Sequence, residues 1–168
     1  DQALADLHQI SSSSTKAEDP KAGNSGEPDP KRMQRVAIEK ARALLGVGQS
    51  EEALAEITAL LENAPKNREA LQLRAEIYAS QDKSEEALAD YDSLMSLGSS
   101  SEQNLLARAQ LHIAAHRWEK AMLDVSEVLN SQPNSLEALQ TRAKIYGQQA
   151  EYSLAITDLT AALQLNPD

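Results

Sequence analysis

SEEALAEITALL (50–61), SEEALADYDSLM (84–95), WEKAMLDVSEVL (118–129) and YSLAITDLTAAL (152–163) align with one another without a gap. Ala53, Ala87, Ala121 and Ala155 are evenly spaced, and Ala41, Ala75, Ala109 and Ala143 keep the same step. Pro65, Pro133 and Pro167 form a third series, with Ser99 in the missing place. A fixed period over four copies is the signature of a repeat architecture. Each unit in such a chain is one supersecondary element that buries its apolar face only by stacking.

Each unit reads as two helices. Leu71, Ala75 and Tyr78, or Leu105, Ala109 and His112, recur at helical spacing on the first; Ala87, Tyr91 and Leu94, or Ala121, Val125 and Val128, do so on the second. Asn67, Ser101 and Asn134 stand where the first helices need an N-cap, and Asn134 with Glu137 has capping-box spacing. Ser50 and Ser84, each followed by two glutamates, suit the start of a second helix, where acids favour the positive end of the dipole. The prolines stop that helix. The alanines let two helix backbones approach closely, and a Leu there would overpack.

Composition agrees. The 168 residues include 41% hydrophobic but only 3% aromatic, with no Phe, one Trp and four Tyr. Leu, Ala and Ile must therefore form the core, which favours helices over a β-sandwich or barrel. No Cys is present, which excludes a disulfide scaffold, a thiolate metal site and a thiol nucleophile. No apolar stretch approaches the roughly 20 residues of a membrane helix, so direct membrane insertion is not expected. The formal charge of −10 makes nucleic acid a poor partner for the chain as a whole. Compartment is left open.

The pattern resembles the tetratricopeptide repeat, a helix–turn–helix unit of about 34 residues. Its hallmark slots are filled by Leu71, Ala75, Tyr78, Ala87 and Tyr91 in the second unit and by Leu139, Ala143, Tyr146, Ala155, Leu159 and Pro167 in the fourth. Departures are local: Ala37 replaces a bulky residue, Leu44 and His112 stand for a Tyr, and Ser99 for a Pro. The resemblance implies an all-α solenoid, a right-handed superhelix of antiparallel helix pairs over 32–168, with repeats at about 34–67, 68–101, 102–135 and 136–168. Residues 1–12 resemble the second helix of a further half repeat: Ala3, Leu7 and Ile10 fall like Ala87, Tyr91 and Leu94. The step from Ala3 to Ala53 exceeds one repeat, and the Ser-, Pro- and Gly-rich stretch 13–31 reads as a flexible linker inserted there. A chain that begins with Asp1 and carries such a half unit reads as a processed or excised segment.

Lys40, Arg74, Arg108 and Arg142 on first helices, and Glu56, Asp90, Asp124 and Asp158 on second helices, repeat at the same step. Recurrence in every copy points to structural ion pairs rather than a ligand site.

Nothing in the sequence points to catalysis or to a cofactor. His112 and His116 are four apart, but HIAAH (112–116) lacks the Glu of a zinc protease motif; His112 takes a packing slot and His116 falls in a turn. Gly46 and Gly48 lack the Lys-Ser/Thr of a phosphate loop. Glu51/Glu52 and Glu85/Glu86 are explained as helix starts. The expectation is therefore a protein–protein interaction module and not an enzyme. In the family the first helices line a concave groove that takes a peptide or helix of a partner. Carried over, that groove is lined by Arg35, Ile38, Arg42 and Leu45; then Glu69, Gln72, Glu76 and Ala79; then Gln103, Leu106, Gln110 and Ile113; and last Glu137, Gln140 and Lys144. Exposed Ile38, Leu106 and Ile113 would give the groove an apolar floor. The carboxylate clamp of the family's co-chaperones does not fit, because its places hold Ile38, Arg42, Leu73, Gln103 and Ala107. A rival expectation is a self-assembling scaffold, joined head to tail through helix 1–10 and an apolar C-terminal edge of Ala155, Leu159, Ala162 and Leu163.

Overall fold

A computed structural model describes residues 29–166. Among these residues it contains eight α-helices and no strand: α1 (Pro30–Gly46), α2 (Ser50–Asn63), α3 (Arg68–Ser80), α4 (Ser84–Ser96), α5 (Glu102–Ala114), α6 (Trp118–Ser131), α7 (Leu136–Gln148) and α8 (Tyr152–Leu165). The segment 1–28, with the expected half-repeat helix and most of the linker, lies outside the described residues, as does the stop at Pro167. Pro30 and Lys31, assigned to the linker from sequence, belong to α1. Asp29 Oδ1 accepts from the Lys31 N–H at 3.1 Å, and Pro30 occupies the first turn, where its missing N–H is no loss.

The chain divides into two compact units, residues 1–77 and 78–168. In the first, α1 packs along α2. Ile38, Ala41 and Leu44 are buried on α1, and Ala53, Ile57, Leu60 and Leu61 on α2. In the second, α4 packs on α5, α5 on α6, α6 on α7 and α7 on α8, while α5 also touches α7. One core cluster there runs through Leu105, Leu106, Ala109 and Ile113 of α5, Ala121, Val125, Val128 and Leu129 of α6, Ala138, Leu139 and Ile145 of α7, and Ala162 of α8. The recurring alanines sit at the crossings: Ala41, Ala53, Ala109 and Ala121 are wholly buried.

Turns within each pair share one device. Gly48, Asp82, His116 and Ala150, one in each repeat, all have positive φ, between 56° and 81°. The N–H that follows each donates back to a carbonyl of the preceding helix end: Gln49 to Leu44, Lys83 to Tyr78, Arg117 to His112 and Glu151 to Tyr146, at 2.8–2.9 Å. This is a Schellman closure, which satisfies carbonyls left over at the helix end. The turn between pairs explains the absent proline at Ser99. There the chain turns through Gly98 (φ +70°), and the Ser99 N–H donates to the Leu94 carbonyl at 2.9 Å. A proline has no N–H to give.

Two of the expected caps are present. Asn67 accepts from the Ala70 N–H at 3.0 Å and Ser101 from the Asn104 N–H at 3.2 Å. The third is corrected: α7 is capped by Ser135, which accepts from the Ala138 N–H at 3.2 Å, so Asn134 and Glu137 form no capping box. The cap residues also tie first helices together. Asn67 Nδ2 donates to Gln34 Oε1 at 3.0 Å, and Ser135 Oγ, two repeats on, donates to Glu102 in the matching place.

Three of the expected ion pairs are in place. Arg108 makes a bidentate pair with Asp124 at 3.0 and 2.5 Å, Arg142 one with Asp158 at 2.7 Å twice, and Lys40 meets Glu56 at 2.7 Å. Arg108 further reaches Asp92 of α4 at 2.8 Å. Their burial differs: the Asp124 side chain is 3% exposed, whereas Lys40 is 51% exposed.

These local geometries fix the sign of two comparisons. Gly48→Ala costs about 1 kcal/mol, because an alanine resists the left-handed region, while Ala150→Gly stabilises or is neutral. Chemical denaturation of the two variants checks the sign at each turn. Arg108→Ala, which strands a buried carboxylate, destabilises by about 3 kcal/mol, and Lys40→Ala by less than about 1 kcal/mol. Equal losses in the two variants would contradict the assignment of Arg108 as the buried tie.

Candidate functional site

The expected groove residues lie on the first helices, and the structure sorts them into sets. Arg35 and Arg42 on α1, Glu69 and Glu76 on α3, Gln103 and Gln110 on α5, and Glu137, Gln140 and Lys144 on α7 are exposed. Leu45, Gln72 and Ala79 are half-buried. Ile38, Leu106 and Ile113 are not on an open face at all, being 2%, 1% and 6% exposed. The expected apolar floor is therefore corrected to a polar one. The physical reason is visible in the second unit: a first helix there is packed against more than one neighbour, and Leu106 and Ile113 belong to the core shared by α5, α6 and α7. The apolar stripe is wider than a single helix–helix contact requires, and three residues expected in the groove belong to it.

Within residues 1–77, Arg42 Nη2 of α1 donates to Glu69 of α3 at 2.8 Å and Nη1 to Glu39 at 3.1 Å. Gln72 Nε2 donates to Glu76 at 3.0 Å. Within residues 78–168 the same register returns: Gln110 of α5 and Glu137 of α7, each two repeats on from Arg42 and Glu69, meet at 3.5 Å. These pairs are solvent-exposed and each is worth only about 0–1 kcal/mol, so an incoming polar group can replace them. Beside the second pair is a cleft of about 400 Å³ lined by Glu102, Gln103, Ala107, Gln110 and Glu137. Gln103, Gln110 and Glu137 are legible from sequence. Glu102 is not, because it stands in the first turn of α5, where the helix dipole already accounts for an acid.

His112 and His116 take the places expected from the repeat. His116 lies in the α5–α6 turn with φ 56°, edge-on to Trp118 with ring centres 5.3 Å apart. Trp118 is half-buried and packs against the core cluster. His112 is buried in the slot that Tyr78 and Tyr146 occupy elsewhere, and its Nδ1 finds no hydrogen-bond partner. Among the described residues no three His, Asp or Glu side chains converge as metal ligands. No helix of the described residues is long and apolar enough to cross a membrane.

Burial holds the His112 imidazole below its ordinary value of 6.5; Arg108, Lys120 and Arg117 push the same way, and Asp124 opposes them. A depressed folded value means that the unfolded chain takes up the proton first. The stabilisation is complete above about pH 6.5 and is lost as the pH falls through the depressed value. His112→Tyr, which restores the residue used in the matching slots, should flatten the decline in melting temperature between about pH 7.5 and pH 5. Parallel pH profiles for variant and parent would remove His112 as the cause.

The family model of the tetratricopeptide repeat matches residues 136–168, the fourth helix pair. No curated protein matches the chain significantly. Among solved structures, a tetratricopeptide repeat protein from Parabacteroides merdae ATCC 43184 superposes with a TM-score of 0.75 at 22% identity, over 80% of this chain and 52% of its own. The chain thus spans about half the length of that protein. MamA AMB-1 superposes with a TM-score of 0.77 at 17% identity, over 99% of this chain and 89% of its own. Another MamA structure gives 0.74 at 12% identity, over 82% and 85%. At such identities the likeness is one of fold, an all-α solenoid of helix pairs. Residues 136–168 thus match the tetratricopeptide repeat, and the three helix pairs before them keep the same residue pattern.

Proposed function

We propose that this chain is a non-catalytic protein–protein interaction module, a scaffold or adaptor that holds a partner segment against the exposed faces of its first helices. The observation that carries this reading is the polar cleft beside α5 and α7, where Gln110 and Glu137 meet only in a weak surface contact. Such a surface suits a polypeptide rather than a small apolar molecule. The amides of Gln103 and Gln110 can pair with a partner's backbone, and Glu102 and Glu137 favour a Lys or Arg in the segment. Arg35 and Arg42 of α1 and Glu69 and Glu76 of α3 give the first unit its own charged positions on the same helix type.

Site-specific photo-crosslinking tests the reading. A photoreactive residue at Gln110 or Gln140 should capture the native partner, whereas one at Leu123 or Asn130, exposed on α6, should not. The double variant Gln110→Lys with Glu137→Lys should lower partner affinity at least tenfold with an unchanged helical spectrum. Capture from α6 alone, or full affinity in the double variant, would sink the groove assignment.

A second reading, self-assembly through the end of the solenoid, is favoured by one feature of α8. Ile156, Leu159 and Leu163 are 64%, 47% and 67% exposed. The matching residues of α6, Met122, Val125 and Leu129, are packed against the core cluster or buried within it. The expected edge is corrected in detail, because Ala155 and Ala162 are buried and Ile156 joins it. A concentration-dependent mass in sedimentation, abolished by Leu159→Asp with Leu163→Asp, would support this second reading over the first.

A further inference from the structure

Among the described residues, α1 leaves open a face that the other first helices bury. Met33 and Val36 are each 56% exposed. Val36 stands in the place of Ala70, Asn104 and Ala138, which are 0%, 1% and 0% exposed. In residues 78–168 the covering element is the preceding second helix, α4 on α5 and α6 on α7. Beside Met33, between α1 and α2, runs a largely apolar cleft of about 490 Å³ whose walls include Met33, Ala37, Ala59 and Leu60. The small Ala37, where α3, α5 and α7 carry Leu71, Leu105 and Leu139, helps to leave it open.

Charge determines what kind of helix fits this face. Arg32 and Lys40 are exposed one turn to either side of Val36, on the same side of α1. Lys40 occupies the place of Arg108, and Arg108 shows what a covering helix brings there: Asp92 of α4, at 2.8 Å. Lys40 meets Glu56 as Arg108 meets Asp124, yet its side chain stays 51% exposed against 17% for Arg108. The first turn of α1 carries Lys31 and Arg32 and no acid, against the helix dipole, whereas each of α2 to α7 has an acid there. An apolar face bracketed by cations favours an acidic partner. A second copy does not supply one through α8. Its residue in the place of Asp92 is Thr160, and its one charged residue, Asp158, is buried against Arg142. A flat anionic lipid surface would meet Arg32 and Lys40 but leave the cleft empty.

We propose that α1 receives an acidic amphipathic helix of another polypeptide, lying on Met33 and Val36 as α4 lies on α5. An apolar side chain of that helix enters the α1–α2 cleft, and a carboxylate meets Lys40 as Asp92 meets Arg108. Binding is of the helix-in-groove kind, with apolar anchors on one stripe and acids at its edge. The surface lies on a different side of α1 from Arg35 and Arg42, so it is a second interface beside the groove positions.

Peptide display on the full chain tests this. A library of helical peptides is enriched on the parent and counter-selected on Val36→Asp, an exposed substitution that should leave the helical spectrum and melting temperature unchanged. Surviving peptides should carry apolar residues at helical spacing with Asp or Glu beside them. They should bind about tenfold more weakly to Val36→Asp and several-fold more weakly to Lys40→Ala. Their affinity should be unchanged in Gln110→Lys with Glu137→Lys, which separates failure of this proposal from failure of the groove reading. No surviving peptide, or survivors without acids that bind Lys40→Ala as tightly as the parent, would overturn the proposal. So would any other occupant. A concentration-dependent mass abolished by Val36→Asp would assign the face to a second copy. Binding to phosphatidylserine vesicles that depends on Val36 would assign it to a lipid surface. A melting temperature lowered by several degrees in Val36→Asp, with no peptide present, would assign it to the chain's own residues.

Discussion

Within each compact unit, helix pairs close on small side chains. Ala41 with Ala53, and Ala109 with Ala121, are buried completely, and a methyl group at both places is what allows two backbones to run side by side. The rest of the architecture depends on that approach. It brings Arg108 to Asp124 and Arg142 to Asp158 in bidentate geometry, and it keeps the turn so short that one residue must adopt positive φ. A pair built in this way cannot bury its own apolar surface, so it needs neighbours. Leu106 and Ile113 illustrate the need, since they serve a core that reaches from α5 to both α6 and α7.

The same constraint determines what is left for function. Packing consumes Ile38, Leu106 and Ile113 of the first helices, and the groove positions that stay exposed are polar or charged, partly engaged in pairs between successive first helices such as Arg42 with Glu69. A surface of that kind contributes selectivity through hydrogen bonds and charge more than through apolar area. Apolar surface remains open at Met33 and Val36 of α1 and at Ile156, Leu159 and Leu163 of α8, where a neighbouring helix of the repeat pattern is missing from the described residues.

Much of this is legible in the sequence, because the period is written in side chains whose reasons are local. Helix starts at Ser50 and Ser84, the caps Asn67 and Ser101, and the spacing of Arg108 to Asp124 all depend on residues close by or on the fixed step. The exceptions are residues whose role depends on a third element. Ile38, Leu106 and Ile113 look like the outer edge of a two-helix contact and prove to be core. Asn134 has better capping-box spacing than Ser135, yet Ser135 is the cap, and it also bonds Glu102 of the preceding first helix. The missing proline at Ser99 looks like a defect and is compensated by the positive φ of Gly98.

Hydrogen–deuterium exchange of the chain with and without its bound partner would show whether the first helices present the receiving face. If they do, new protection appears in α5 and α7, around Gln103, Gln110 and Gln140, with α6 unchanged. Protection confined to α6, or to the Ile156–Leu163 face of α8, would contradict it.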